Sequence, residues 1–235
     1  MAKRRPKQDR QFRHELKYYI SEYSYAILQP RLSHVLRLDE NANEDGEYHI
    51  RSLYFDDIDE TALRQKIAGE DDRDKVRIRI YDFSDYTIKL ERKQKKGQYI
   101  SKDSCSITRQ EYLDLLEGNP ESLLDFSDAP RGFVFAAMRT KKLRPVRVVD
   151  YYREAYTYPI EDVRITFDRD LKAGYETFDI FDQEMFTVPK LETGMLIMEV
   201  KFNNYLPEFI RDIMQIDSFE RRAISKYTIC RQFDY

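Results

Sequence analysis

The stretch "KVRIRIY", residues 75 to 81, restricts the fold of this chain more than any other. In an extended strand successive side chains point to opposite faces, so Lys75, Arg77 and Arg79 share one face and Val76, Ile78 and Ile80 the other. The design recurs. Arg13, Glu15 and Lys17 alternate in "FRHELKYYI"; Lys89, Glu91 and Lys93 stand opposite Ile88 and Leu90; Arg164, Thr166 and Asp168 stand opposite Val163, Ile165 and Phe167. Glu199 and Lys201 stand opposite Met198, Val200 and Phe202. On any one strand a solvated outer face would give this pattern. Across five strands an inward charged face is favoured, because Arg and Lys dominate at alternating sites where like charges repel unless an anion or a Glu lies between them. The chain also has enough helix to cover the apolar faces from outside.

The remaining elements fit a barrel. A first strand ends near Ser21, which caps a helix over "EYSYAILQPRLSHVLRL", bent or restarted at Pro30. "EYHIRSLYFDD" reads as a strand and "DETALRQKIAG" as a helix closed by Gly69. "DKVRIRIYDF", "YTIKLERKQK" and, after a turn at Gly97, "QYISKDSCSI" predict an antiparallel meander. Thr108 and Glu111 form a capping box for "RQEYLDLLEG", and "PESLLDF" and "RGFVFAAMRTKKL" continue a helical or irregular section. Strands resume in "PVRVVDYYREAYTYP", "DVRITFDRDL", "YETFDI" and "GMLIMEVKFNN". "PEFIRDIMQI" and "SKYTICRQF" close as helices, with Pro207 in a first turn. No repeat or linker divides the chain. The expected architecture is α+β: a single domain over residues 11–235, with about eight antiparallel strands closing as a barrel tunnel and helices flanking it. Residues 1–10 are expected to form a flexible basic N-terminus.

Composition limits the partners. The formal charge is −3, from 40 Lys and Arg against 43 Asp and Glu, so no overall basic field attracts nucleic acid and anion binding must be local. The aromatics are mostly not interleaved with the basic faces, which also speaks against a nucleic-acid barrel. Cys105 and Cys230 have no metal-ligand spacing and read as thiols of a reducing compartment. The basic N-terminus is followed by no apolar signal region and no run is long enough to span a membrane, so a cytoplasmic chain is expected. His14, His34 and His49 have no mutual metal spacing and read as surface or packing residues.

A wet cationic tunnel with a few carboxylates has a chemical use. Arg binds phosphate oxygens with a planar fork and Lys supplies point charges. Glu suits a hard divalent ion that bridges carboxylate and phosphate. The seven glycines form neither GxxxxGK[ST] nor GxGxxG, so phosphate must be held by side chains. The inferred ligand is an elongated polyanion such as a triphosphate.

In this order, "FRHELKYYI", "RSLYFDD", "KVRIRIY", "LERK", "YYREAY", "VRITFDRD", "MEVKF" followed by Pro207, and "SKY" resemble the VTC domain, the polyphosphate polymerase domain within the triphosphate tunnel metalloenzyme superfamily. The resemblance implies a tunnel of antiparallel strands. It also implies that Lys17, Arg77, Arg79, Lys93, Arg164 and Lys226 are catalytic phosphate-binding residues, with Lys102 and Lys201 as weaker matches. Glu199 matches the metal-binding glutamate, and Glu15 a carboxylate of the amino-terminal ExExK signature, whose first Glu is here Arg13. A second family Lys near the carboxyl terminus is replaced by Ala223, with Arg221 or Arg222 as the substitute. The implied activity is Mn2+- or Mg2+-dependent polyphosphate synthesis from ATP, beside a separate membrane partner at the inner face of a membrane. The alternatives are an inorganic triphosphatase or polyphosphatase of the same fold, and a noncatalytic module binding polyphosphate or inositol phosphates.

Overall fold

The computed structural model describes residues 14–97, 99–126, 128–215 and 219–232. Arg13 and the basic segment over residues 1–10 lie outside them. Ten strands form one antiparallel sheet: β1 (His14–Ser21), β2 (Arg37–Leu38), β3 (Tyr48–Asp56), β4 (Arg73–Tyr81), β5 (Ser84–Lys96), β6 (Tyr99–Ile107), β7 (Arg144–Tyr158), β8 (Val163–Gly174), β9 (Thr187–Pro189) and β10 (Met195–Phe202). The main order is β1-β10-β8-β7-β3-β4-β5-β6, with β2 beside β7 and β9 beside β8. Among the described residues six α-helices accompany the sheet: α1 (Glu22–Ser33), α2 (Thr61–Ile67), α3 (Arg109–Leu116), α4 (Ala129–Lys141), α5 (Glu208–Met214) and α6 (Lys226–Gln232).

Among the described residues the end strands β1 and β6 are not paired with each other, so the sheet is open. Its twist and three register shifts, at Tyr54/Phe55, Arg79/Tyr81 and Asp150/Tyr152, nevertheless curl it into a tunnel. Lys93 on β5 reaches Glu15 on β1 at 2.9 Å, across the seam between the two ends. The free edge of β1 is partly covered by the chain near the carboxyl terminus, where the Arg222 N–H donates to the Lys17 carbonyl at 3.0 Å. Between β4 and β5 the turn residues Asp82 and Phe83 both have positive φ, 49° and 55°, the handedness that suits a two-residue hairpin.

The apolar faces turn outward and are covered by helices, as the alternation predicts. Val76, Ile78, Ile80, Ile88 and Leu90 pack against Tyr112 and Leu115 of α3 and Val134 and Met138 of α4. Tyr18, Ile20, Ile165, Phe167, Met198 and Val200 pack against Leu28 and Leu32 of α1 and Ile210 and Met214 of α5. Helix α6 covers an apolar part of the inner face, where Tyr227, Ile229 and Cys230 meet Tyr54, Val149, Ala173 and Ile197.

Local signals behave as the residues dictate. Ser21 caps α1, its side chain accepting the Ser24 N–H at 3.1 Å, and Thr108 and Glu111 form the reciprocal box at α3. Gly69 follows α2 with φ +75°, a left-handed position open to glycine. Three expectations change. Helix α1 continues through Pro30 as one helix and stops at Ser33. Pro207 is the N-cap of α5, with φ −51° and ψ 137°, one position before the first turn. "YETFDI" is not a strand: the Tyr112 hydroxyl donates to the Phe178 carbonyl and accepts the Ile180 N–H, which ties this stretch to α3, and β9 pairs with β8 instead.

Ile78 is fully buried on the outer face of β4. Ile78→Ala should lower stability by about 2–5 kcal/mol, read from urea denaturation.

Candidate functional site

Antiparallel register assembles the inner face in rows. Lys75, Lys93 and Lys102 lie directly opposite one another across β4, β5 and β6; Arg77, Glu91 and Ser104 form the next row, and Arg79, Lys89 and Ser106 the one after. On the other side, Glu15, Lys201 and Arg164 align across β1, β10 and β8, and Lys17, Glu199 and Thr166 align next to them. Arg153 of β7 stands opposite Asp168 of β8.

Four inward carboxylates are each shared between two cations. Glu91 meets Arg77 Nε at 2.6 Å and also Lys102. Glu15 meets Lys17 at 2.8 Å and Lys93 at 2.9 Å. Glu199 meets Lys17 at 3.4 Å and also Lys201. Asp168, fully buried, takes Arg153 at 2.6 and 2.8 Å and also Lys226. Burial alone would push these carboxyls up. The cations win: Lys17 and Lys93 hold Glu15 down at about 2, Arg153 and Lys226 hold Asp168 at about 2, and Glu199 and Glu91 also lie well below the usual carboxylate range.

Cations remain in surplus. Arg79, only 7% exposed, has no carboxylate partner among the described residues; its guanidinium reaches the Ser52 hydroxyl at 3.3 Å and the Tyr151 hydroxyl at 3.4 Å. Lys75 donates to the Ser225 hydroxyl at 2.8 Å. Burial, together with the nearby ammonium groups of Lys66, Lys17 and Lys93, pushes the Lys75 amine well below its ordinary value. Burial likewise lowers Lys201, to about 8, against the pull of Glu199. The Tyr151 phenol is lowered despite its burial, because Arg79, Arg153 and Lys226 surround it. Buried cations without counter-ions are costly, and a bound polyanion would remove that cost.

Lys17, Arg77, Arg79, Lys93, Lys102, Lys201, Lys226, Glu15 and Glu199 therefore face one shared space. Arg164 points the same way but is held by Asp39 and by the Tyr48 hydroxyl at 2.9 Å. The exposed Arg222 side chain pairs with Glu220 at 2.7 Å, and only its backbone touches the tunnel wall. Arg153, Tyr151 and the anchoring role of Asp168 emerge only from the fold. A trace of them exists in the alternation of Arg147, Val149, Tyr151 and Arg153, but the opposite face of β7 carries Asp150, which hides it. That Asp150 belongs to an outer cluster with His49 and Arg51, under the ring of Phe83 at 4.1 Å from the imidazole. His14 stacks on Phe202 at 4.9 Å and His34 is exposed. Among the described residues no group of three or more His, Cys, Asp or Glu is placed to hold a metal ion.

A lysine charged less readily in the folded than in the unfolded chain lowers stability below its ordinary titration range, and stability rises as pH climbs toward that range. Lys75→Met should thus raise ligand-free stability at neutral pH by about 0.5–2 kcal/mol. It should also flatten the rise of stability with alkaline pH and weaken binding of tripolyphosphate. Urea denaturation at several pH values and calorimetric titration check all three.

A family model for the VTC domain matches residues 12–234. No curated protein matches the chain at a significant level. Among solved structures, a putative adenylyl cyclase from Hippeastrum, described as having a dominant triphosphatase activity, is 15% identical over 93% of this chain and 96% of its own, with a TM-score of 0.54. A putative adenylate cyclase from Bacillus halodurans is 16% identical over 92% and 93%, with a TM-score of 0.50. The PH1819 protein of Pyrococcus horikoshii is 14% identical over 94% and 99%, also with a TM-score of 0.50. At such identities these likenesses speak for the fold alone. With the family model spanning nearly its whole length and its charged strand faces turned into one tunnel, the chain belongs to the VTC domain family.

Proposed function

We propose that this chain transfers the terminal phosphoryl group of ATP to a phosphate or polyphosphate end within the tunnel, and so makes polyphosphate. The observation that carries this reading is the surplus of buried inward cations, above all Arg79, which forms no ion pair with a carboxylate among the described residues. Family and fold support phosphoryl transfer in general; the polymer is the finer part of the proposal.

In this reading Arg77, Arg79 and Arg153 grip phosphate oxygens, with Lys17, Lys75, Lys93, Lys102 and Lys226 adding charge around them. Arg164 joins from the rim once its hold on Asp39 gives way. The acceptor oxygen attacks the terminal phosphorus, the bond to the β-phosphate oxygen breaks, and ADP departs. The fixed cations stabilise charge on the equatorial oxygens, so catalysis is positioning plus electrostatics and no protein nucleophile takes part.

Glu199 and Glu15 fit a hard divalent ion, Mn2+ or Mg2+, because such ions are held by one or two carboxylates and complete their shell with phosphate oxygens and water. When bound, the ion neutralises developing phosphoryl charge. Transfer is favoured over hydrolysis because Asp168, held at about 2 by Arg153 and Lys226, is a poor general base for a water molecule. A phosphate acceptor is already an anion at neutral pH and needs no base. We further propose a cytoplasmic chain working beside a separate membrane protein. No helix among the described residues is long and apolar enough to cross a membrane.

Incubation with ATP and Mn2+ or Mg2+, with and without a short polyphosphate primer, should yield polymer and ADP, resolved by gel electrophoresis. Orthophosphate as the sole product would instead identify a triphosphatase, and tight triphosphate binding without turnover a noncatalytic module. Arg79→Ala and Glu199→Gln should each lower kcat by about 10²–10³; unchanged rates in both would refute the site.

A further inference from the structure

Three ammonium groups already stand on the two carboxylates assigned to the divalent ion. Lys17 Nζ lies 2.8 Å from Glu15 Oε1 and 3.4 Å from Glu199 Oε2. Lys93 Nζ lies 2.9 Å from Glu15 Oε2, and Lys201 Nζ contacts Glu199 Oε1. Each of the four carboxylate oxygens thus has its own ammonium contact. The register fixes the arrangement as a checkerboard, with Glu15 opposite Lys201 and Lys17 opposite Glu199. An ion held by both carboxylates would have to displace Lys17, which already contacts each of them.

A free divalent ion therefore enters at a disadvantage. It must displace ammonium groups into surroundings where Lys75, Arg153 and Lys226 already leave positive charge in surplus, and like charges in a partly buried space repel strongly. A polyanion reverses this balance by offering oxygens to the displaced lysines while bringing its own negative charge. On the phosphate-transfer reading above, we propose that Lys17 and Lys201 make the metal–polyphosphate complex, rather than the free ion, the species this site accepts. Both lysines move from carboxylate to phosphate as the complex binds. By linkage, the ion then raises the affinity for the polyanion by the same factor as the polyanion raises the affinity for the ion.

The test is a binding measurement. Mn2+ alone is titrated by electron paramagnetic resonance against the wild-type chain and the Lys17→Met and Lys201→Met variants. Water-proton relaxation then follows the ternary complex with imidotriphosphate, a triphosphate analogue with nitrogen bridges that resists transfer. Wild type should bind Mn2+ alone weakly. Both variants should bind it at least tenfold more tightly while binding the metal-free analogue less well, and the enhancement of Mn2+ binding by the analogue should shrink. Equal affinity of wild type and both variants for Mn2+ alone would overturn the proposal while leaving phosphate binding intact. Absence of analogue binding under every condition would overturn the phosphate-transfer reading and this proposal with it. Circular dichroism establishes folding; if Lys17→Met does not fold, Lys201→Met, whose side chain is 26% exposed, decides the matter alone.

Discussion

The sharing of each inward carboxylate between two cations is what allows this sheet to enclose its charged faces. A strand such as β4 cannot turn Lys75, Arg77 and Arg79 inward by itself, since buried cations lose their hydration and repel one another. Glu91 from β5, Glu15 from β1, Glu199 from β10 and Asp168 from β8 enter the same space and reduce the charge without cancelling it. Full neutralisation would give a stable but inert interior. Within the remaining surplus Lys75 costs stability, because its buried amine is pushed well below its ordinary value.

The same sharing ties the architecture to the site. Lys93 and Glu15 belong to strands at nearly opposite ends of the pairing order, so their contact closes the seam as well as neutralising a carboxylate. Asp168 likewise joins β7, β8 and α6, through Arg153 and Lys226. Outside the sheet, apolar side chains of the same strands hold α1, α3, α4 and α5, so each strand serves core and tunnel with alternate residues.

Where one face of a strand is uniformly charged and the other uniformly apolar, the sequence reveals both the strand and its orientation. That holds for β1, β4, β5, β8 and β10, and the inward turn of Arg77, Arg79, Lys93, Glu199 and Lys201 follows from it. It fails for β3 and β7. There the outer face carries His49, Arg51 and Asp150, a polar cluster satisfied within itself, and the alternation that would reveal Tyr151 and Arg153 is lost. Pairings between distant parts of the chain are invisible for another reason: that Arg164 meets Asp39, or that Arg222 contributes a backbone N–H rather than a guanidinium, depends on how the chain returns to β1. "YETFDI" alternates in its last three residues, yet two hydrogen bonds with one tyrosine on α3, one donated and one accepted by its hydroxyl, decide its conformation.

The pairing of β1 with β10, and the return of the segment around Arg222 to the free edge of β1, set an order of events during synthesis. β1 emerges before β10 and the segment around Arg222 that cover its two edges, and such distant contacts form slowly. Until then Glu15 and Lys17 stand on an unpaired strand, and no enclosed cationic space exists. The cationic space is therefore enclosed only once β1 has met β10.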